Sequence, residues 1–224
     1  TFVGNQVPII ILSRNIDENL YDNVYTDNVD EDGNSSNYIY VYGVGDEWRL
    51  AENKTYDWLA DGAPYRMMEN THVWKDGNEE EIAVLKIYPG ATLVFEQNKY
   101  ISIGNGNNNV EDAGALQADG VTFTSIDSSV IWEGIQFYAG NYDDSTSIEN
   151  CIIERASKGI YYEGSLSEIS NNVFRQNVNA IYLDVNSKPI ISNNNFENNE
   201  TPIYICANNI DGNLFDNVYE NNLI

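Results

Sequence analysis

Histidine occurs once, cysteine twice and proline five times, and cations are scarce: 11 Lys+Arg stand against 35 Asp+Glu, a formal net charge of -24. One imidazole and two separated thiols make no zinc ligand set. Nothing in such a chain neutralises phosphates, which excludes nucleic acid as a partner, and an anionic membrane surface repels it. The acidity suits solubility, salt tolerance or cation binding. The longest apolar run, Val7 to Leu12, is far too short for a membrane span. No signal peptide is visible and the sequence starts at Thr1, as in a processed mature chain or an excised domain. What is abundant is equally telling. With 224 residues and 42% hydrophobic content, the chain reaches one domain with a real core. About one residue in seven is Asn, and Tyr numbers 16. Both suit turns and β-surfaces better than helices.

The main signal is an internal repeat. Ile148-Glu-Asn150-Cys-Ile-Ile153 is followed by Ile160-Tyr161. Ile169-Ser-Asn171-Asn-Val-Phe174 is followed by Ile181-Tyr182. Ile191-Ser-Asn193-Asn-Asn-Phe196 is followed by Ile203-Tyr204, and a fourth copy is read at Ile210-Asp-Gly-Asn-Leu-Phe215. These starts are offset by 21, 22 and 19 residues. Short alternating apolar clusters between Asn, Gly, Ser and Asp are strands. The pattern translates and does not mirror, so equivalent residues stack from coil to coil about 4.8 Å apart. The fold class is therefore all-β, a parallel β-helix. Three inward columns are expected: Ile160, Ile181, Ile203; Ile148, Ile169, Ile191, Ile210; and Ile153, Phe174, Phe196, Phe215. Asn150, Asn171 and Asn193 are expected to stack their amides at a turn. Cys151 and Cys206 then fall in non-adjacent coils, which predicts buried or semi-buried thiols and no disulfide.

Upstream, Leu85-Lys-Ile87-Tyr-Pro89-Gly90-Ala-Thr-Leu93-Val-Phe95 resembles the entry coil of pectin-lyase-like right-handed β-helix proteins. Ile101-Ser-Ile103, Gly114-Ala-Leu116, Val121-Thr-Phe123 and Trp132-Glu-Gly134-Ile135-Gln-Phe137 continue the likeness. The resemblance implies a right-handed solenoid of secreted or cell-surface type. It leaves function open, because that superfamily mixes enzymes, adhesins and structural proteins.

Residues 1–48 do not fit the repeat and read as an acidic segment with strands at Val7–Leu12 and Tyr38–Tyr42. Residues 49–84, with Tyr56, Trp58, Tyr65 and Trp74, read as an aromatic lead-in that caps the first coil. Residues 85–224 read as the β-helix.

No catalytic residues are assigned. Asp143-Asp144 form a carboxylate pair in a loop. Arg155 and Arg175 lie one coil apart, where pairing with Glu154 is the expected role. His72 is placed ahead of the solenoid. A metal reading has a motif behind it. Asn28-Val-Asp30-Glu-Asp32-Gly33-Asn34 sets oxygen ligands at alternate positions before a glycine, like the first half of a calcium loop, with Asn first and Ile39 where a bidentate Glu belongs. Calcium is therefore the expected cofactor, at Asn28, Asp30, Asp32 and Asn34. Glycosylation sequons stand at Asn34, Asn53 and Asn199, the last in an accessible turn.

The function these features favour is a non-catalytic extracellular or cell-surface protein, structural or adhesive, plausible as a self-assembling filament or envelope subunit. Self-association through the chain ends is expected, with Val7–Leu12 free to join a neighbour's sheet edge, and a glycan is a candidate partner. The alternative is a polysaccharide lyase or glycoside hydrolase.

Overall fold

The computed structural model describes residues 1–17, 20, 22–43, 49–51, 54–75, 82–105, 113–138, 145–163, 168–184, 187–206, 208, 210 and 214–223. One coil shows how the chain builds itself. Ser147–Glu149, Ile152–Glu154 and Lys158–Tyr162 are three short strands, each on a different side of the solenoid, and Glu168–Ser170 begins the next coil above the first. Stacking gives three parallel sheets. Sheet I has nine strands, from Ile9–Leu12 to Val218–Glu220. Sheet II has seven, from Arg49–Leu50 to Thr201–Tyr204. Sheet III has seven, from Thr55–Trp58 to Leu214–Phe215. The fold is the expected all-β right-handed parallel solenoid, and Ser13–Asn15 forms a 3-10 turn.

Alternation within each strand sends every second side chain inward. Ile160, Ile181 and Ile203 are register partners along sheet II, as expected, and Ile135 extends their column by one coil. In sheet I, Phe174 stacks on Phe196 at 5.2 Å between ring centroids, and Phe196 on Tyr219 at 5.2 Å. Each fully buried side chain of this kind contributes about 1.5–3 kcal/mol of transfer free energy. The cysteines are free, and burial pushes the Cys151 thiol up to about 12.

The final coil departs from the expected register. Ile191 pairs with Leu214, and Phe196 pairs with Tyr219. Ile210 is 58% exposed and Phe215 45% exposed, so neither belongs to its expected column. The true offset is 23 residues, because a longer connection precedes the strand and moves the apolar anchor four residues on.

The turn from sheet III to sheet I also differs. Asn150, Asn171, Asn193 and Asp216 have φ between 54° and 59°, the left-handed region where Asn and Asp are tolerated best among residues with a Cβ. Gly90 and Gly120 hold the same place in earlier coils, with φ of 87° and 64°. These Asn side chains face solvent. The amides that stack belong to the following residue. Asn172 and Asn194 are buried, the Asn172 backbone N–H donates to Asn194 Oδ1 at 2.9 Å, and Asn194 Nδ2 donates to the Ile169 carbonyl at 2.8 Å. A second ladder runs through Asn177, Asn199 and Asn222 at the next corner.

The N-terminal boundaries are corrected as well. Ile9–Leu12 pairs with Ile39–Tyr42, which pairs with Tyr65–Met67, all in parallel. The segments 1–48 and 49–84 therefore contribute strands to the same solenoid that the repeat announces downstream. Ile9–Leu12 is the first strand of sheet I, at its edge, paired on one side with Ile39–Tyr42. Tyr56, Trp58 and Tyr65 are buried within the coils, with Trp58 and Tyr65 rings 5.6 Å apart, so they are core and not a plug. The covering of this end comes from Phe2, Ile16, Leu20 and Tyr25, which pack against the core. Phe2 stacks on Tyr25 at 5.1 Å, and the Tyr25 hydroxyl donates to buried Asp61 at 2.9 Å.

Candidate functional site

If Ile160, Ile181 and Ile203 face inward, the next residue in each strand must face out. Those residues are Tyr161, Tyr182 and Tyr204, partners in register along sheet II. Parallel stacking of identical residues turns one tyrosine per coil into a column on the solenoid surface. Tyr182 and Tyr204 stack at 4.5 Å with an interplanar angle of 8°. Tyr161 and Tyr182 lie 5.7 Å apart, tilted by 37°, and Tyr138 meets Tyr161 edge-on at 6.0 Å. Lys158, at the start of its strand, holds its ammonium 4.6 Å from the Tyr161 ring centre and 4.5 Å from that of Tyr182.

Two of the phenol protons are committed. Tyr161 donates to Asp184 Oδ2 at 3.1 Å, and Tyr138 donates to Gln136 Oε1 at 2.7 Å. The Tyr161 hydroxyl is raised well above the ordinary tyrosine value, first by burial and then by its hydrogen bond to Asp184 and the nearby Glu163 charge. It stays a neutral phenol. Toward the N-terminal coils the column continues through Gln136, Ser102, His72 and Arg49. Here a cleft of about 400 Å³ opens between His72, Trp74, Tyr100, Ser102 and Tyr138. His72 Nδ1 and Ser102 Oγ are 2.6 Å apart, and the Arg49 guanidinium lies 4.4 Å over the Trp74 ring. Burial, and then the Arg49 charge, depress the His72 imidazole below its usual value.

His72 thus sits within sheet II and not ahead of the solenoid. Asp143 and Asp144 lie outside the described residues. Arg155 and Arg175 are brought together, on sheet I, by Glu154. Its Oε1 accepts from Thr124 Oγ1 at 2.7 Å and lies 3.1 Å from Arg155 Nη1, and its Oε2 accepts from Arg175 Nε at 2.5 Å. This is the charge pairing expected from sequence. Burial alone would raise the Glu154 carboxyl. Hydrogen bonds from Thr124 and Arg175, with the two guanidinium charges, outweigh it and hold the group below its usual 4.5. A lowered carboxyl contributes stability that is complete above the usual value and is lost as pH falls through the lowered one. Acid denaturation followed by circular dichroism is therefore expected to show a fall in melting temperature below about pH 4.5 that is shallower in Glu154→Gln. Parallel curves for the two proteins would remove Glu154 from the acid response.

The four expected calcium ligands do not form one set of open oxygens. Asn28 is buried, and its Oδ1 accepts the Asn5 backbone N–H at 2.8 Å. Its Nδ2 donates to Phe2 O at 3.0 Å and to Asn37 Oδ1 at 2.8 Å. Asn28 pins the N-terminal strand, because its amide is saturated by backbone and side-chain partners. Asp30 accepts from the Asp32 and Asn34 backbone N–H groups at 3.0 and 2.8 Å, and from Asn34 Nδ2 at 3.2 Å. These bonds, led by the Asn34 backbone, lower its carboxyl. Among the described residues, no three or more His, Cys, Asp or Glu are grouped to hold a metal ion. Of the sequons, Asn34 is exposed and Asn53 lies outside the described residues. Asn199 is fully buried, its amide donating to Phe174 O at 2.9 Å. The expected accessible turn at Asn199 is instead a rung of the inner ladder.

The tyrosine column is the feature that sequence reading passed over, although the Ile-Tyr pairs that carry it were visible. A family model described as "Right handed beta helix region" matches residues 109–224. No curated protein and no solved structure matches the chain.

Proposed function

From the premise that this chain belongs to the right-handed β-helix family, whose fold by itself fixes no chemistry, we propose that it is a non-catalytic extracellular module that adheres to an extended polymer through the outer face of sheet II. One observation carries this reading: the column Tyr161, Tyr182, Tyr204 on the outer face of a parallel sheet, met edge-on by Tyr138. Aromatic side chains with a polar tip bring large contact area at low entropic cost. Repetition at the coil spacing suits a ligand that itself repeats. The acidic composition and the resemblance to secreted β-helix proteins support an extracellular setting. The alternative, a polysaccharide lyase or hydrolase, would draw on Asp143 and Asp144.

Two measurements on one protein separate these readings. Incubation with a polysaccharide panel is expected to release neither new reducing ends nor unsaturated products. Retardation of the protein in gels containing those polysaccharides is expected for wild type and lost in Tyr182→Ala/Tyr204→Ala. Both changes remove ring contacts on the outer face and leave the core intact, so each should cost about 0.5–1.5 kcal/mol and the double variant should stay folded. Product release would favour the enzyme. Retardation that survives in the double variant would move the binding face elsewhere.

A further inference from the structure

We infer that the open edge of the Phe2–Val3 strand docks on the Asp216–Asn222 rung of a second copy of this chain, so that copies join head to tail. The contact is separate from the tyrosine column and does not depend on it.

Two distant segments of the sequence are near copies of each other. Asp22-Asn-Val-Tyr25-Thr-Asp-Asn28 and Asp216-Asn-Val-Tyr219-Glu-Asn-Asn222 differ at two positions of seven. They also share a backbone: φ is 61° at Asp22 and 55° at Asp27, and 55° at Asp216 and 52° at Asn221. The strand Phe2–Val3 pairs in parallel with Tyr25–Thr26, and its bonds match those of the C-terminal coils position for position. The Gly4 N–H donates to Thr26 O at 3.4 Å, as the Asn198 N–H does to Glu220 O at 3.0 Å. The Asn5 N–H donates to Asn28 Oδ1 at 2.8 Å, as the Asn199 N–H does to Asn222 Oδ1 at 2.9 Å. Asn28 Nδ2 donates to Phe2 O at 3.0 Å, as Asn222 Nδ2 does to Phe196 O at 2.9 Å. Phe2 stacks on Tyr25 at 5.1 Å, and Phe196 on Tyr219 at 5.2 Å. Phe2–Asn5 is therefore a rung of the same ladder.

The two places are open on opposite sides. Among the described residues, the N–H groups of Asn221 and Asn222 meet no acceptor. Tyr219 is 51% exposed, whereas Tyr25, covered by Phe2, is 8% exposed. Phe2–Val3 is paired on one edge only. Asn5 Oδ1 accepts no bond among the described residues, and the Val3 carbonyl is met by the chain's own Asn5 amide. Continuing the ladder across two copies sets Phe2 of one on Tyr219 of the other and Val3 beside Glu220. It gives the Asn222 N–H the oxygen of Asn5, and the Asn221 N–H the Val3 carbonyl. Unpaired backbone groups at a strand edge are a template of this kind.

The polarity fixes the mode of joining. One side offers N–H groups and the other oxygens, so like ends do not complement each other. Within one chain the two rungs stand at opposite ends of nine-stranded sheet I, roughly 40 Å apart at the spacing of stacked strands. The partner is therefore another copy, and a contact between unlike surfaces that does not close propagates as an open array. Each copy carries -24, so joining should strengthen as salt screens that repulsion.

The test is sedimentation of the full chain over three decades of concentration, at low and high salt. The average mass is expected to rise with concentration without levelling at a dimer, and more steeply in high salt. Val3 is 55% exposed and lies opposite Thr26 in its own chain, so charges placed there should leave the melting temperature unchanged. Val3→Glu sets like charges opposite each other across the join and should weaken association about tenfold, and Val3→Lys should strengthen it. Val3→Glu/Glu220→Lys should restore it, which neither misfolding nor general stickiness would do. A monomer at every concentration and salt would overturn the proposal. A mass that levels at a dimer would replace the head-to-tail contact with a symmetric one. Association indifferent to both Val3 variants, or not restored by Glu220→Lys, would show that these two rungs do not meet.

Discussion

Ile181→Asp is expected to abolish cooperative folding at room temperature. Ile181 is fully buried between Ile160 and Ile203, its register partners in the coils on either side. The substitution removes about 1.5–3 kcal/mol of apolar burial. It also places a carboxylate where no cation or donor is positioned, at a cost of several kcal/mol even when the group takes up a proton. A domain of this kind is stable by roughly 5–15 kcal/mol, so the sum reaches most or all of it. The damage propagates because each coil is the template for the next. Loss of the far-ultraviolet β signal and of a urea transition would confirm the inward position. Ile181→Val keeps the shape and should cost about 1 kcal/mol. A wild-type melt for Ile181→Asp would mean that this side chain does not face the core, and that Tyr182 therefore does not face solvent.

Asn194→Ala is expected to destabilise by about 4 kcal/mol, and Asn193→Ala by about 1 kcal/mol. The two residues are adjacent and identical, which makes the comparison informative. Asn194 is 1% exposed. Its oxygen accepts from the Asn172 backbone and side chain at 2.9 and 3.2 Å, and its Nδ2 donates to Ile169 O and Asn217 Oδ1 at 2.8 and 3.2 Å. Alanine leaves these partners without their bonds in a dry corner, and each orphaned group costs about 1–3 kcal/mol. Asn193 is exposed with φ of 55°. Alanine there meets only the left-handed backbone penalty of about 1 kcal/mol, and Asn193→Gly should be near neutral. Urea denaturation of the three variants gives the order directly. A larger loss at Asn193 than at Asn194 would return the ladder to the residue that the sequence pattern suggested.

That pair also shows where sequence reading stops. The repeat Ile-x-Asn-Asn-x-Phe contains two candidate amides, and periodicity treats them alike. Which one turns inward depends on the backbone at the corner: the first takes the left-handed conformation, and this rotates the second into the core. The final coil raises a different difficulty. An apolar anchor at Ile210 and one at Leu214 both satisfy a loose repeat, and only the ladder to Ile191 selects Leu214. The N-terminal coils were hidden by their length. Ile9, Ile39, Tyr65, Leu93, Phe123 and Ile153 are successive partners spaced by 30, 26, 28, 30 and 30 residues, against 21 between Ile153 and Phe174. Long connections dilute a period until it can no longer be seen, although the strands they join stack equally well.

The sequence alone determined the architecture, its parallel sense and the inward columns of the coils from Ile148 to Ile203. These follow from alternation and translation, which are local regularities written in neighbouring residues. It also determined that Arg155 and Arg175 would be bound up with Glu154. The tertiary structure decided what lies together across coils. It enrolled Ile9–Leu12 in sheet I, buried Asn28 and Asn199, brought His72 to the side of Ser102, and set Tyr161, Tyr182 and Tyr204 ring against ring. Each of those contacts joins residues about twenty or more positions apart. Their meeting depends on how many residues each loop spends before the chain returns to its sheet, and loop length has no periodic signature in sequence.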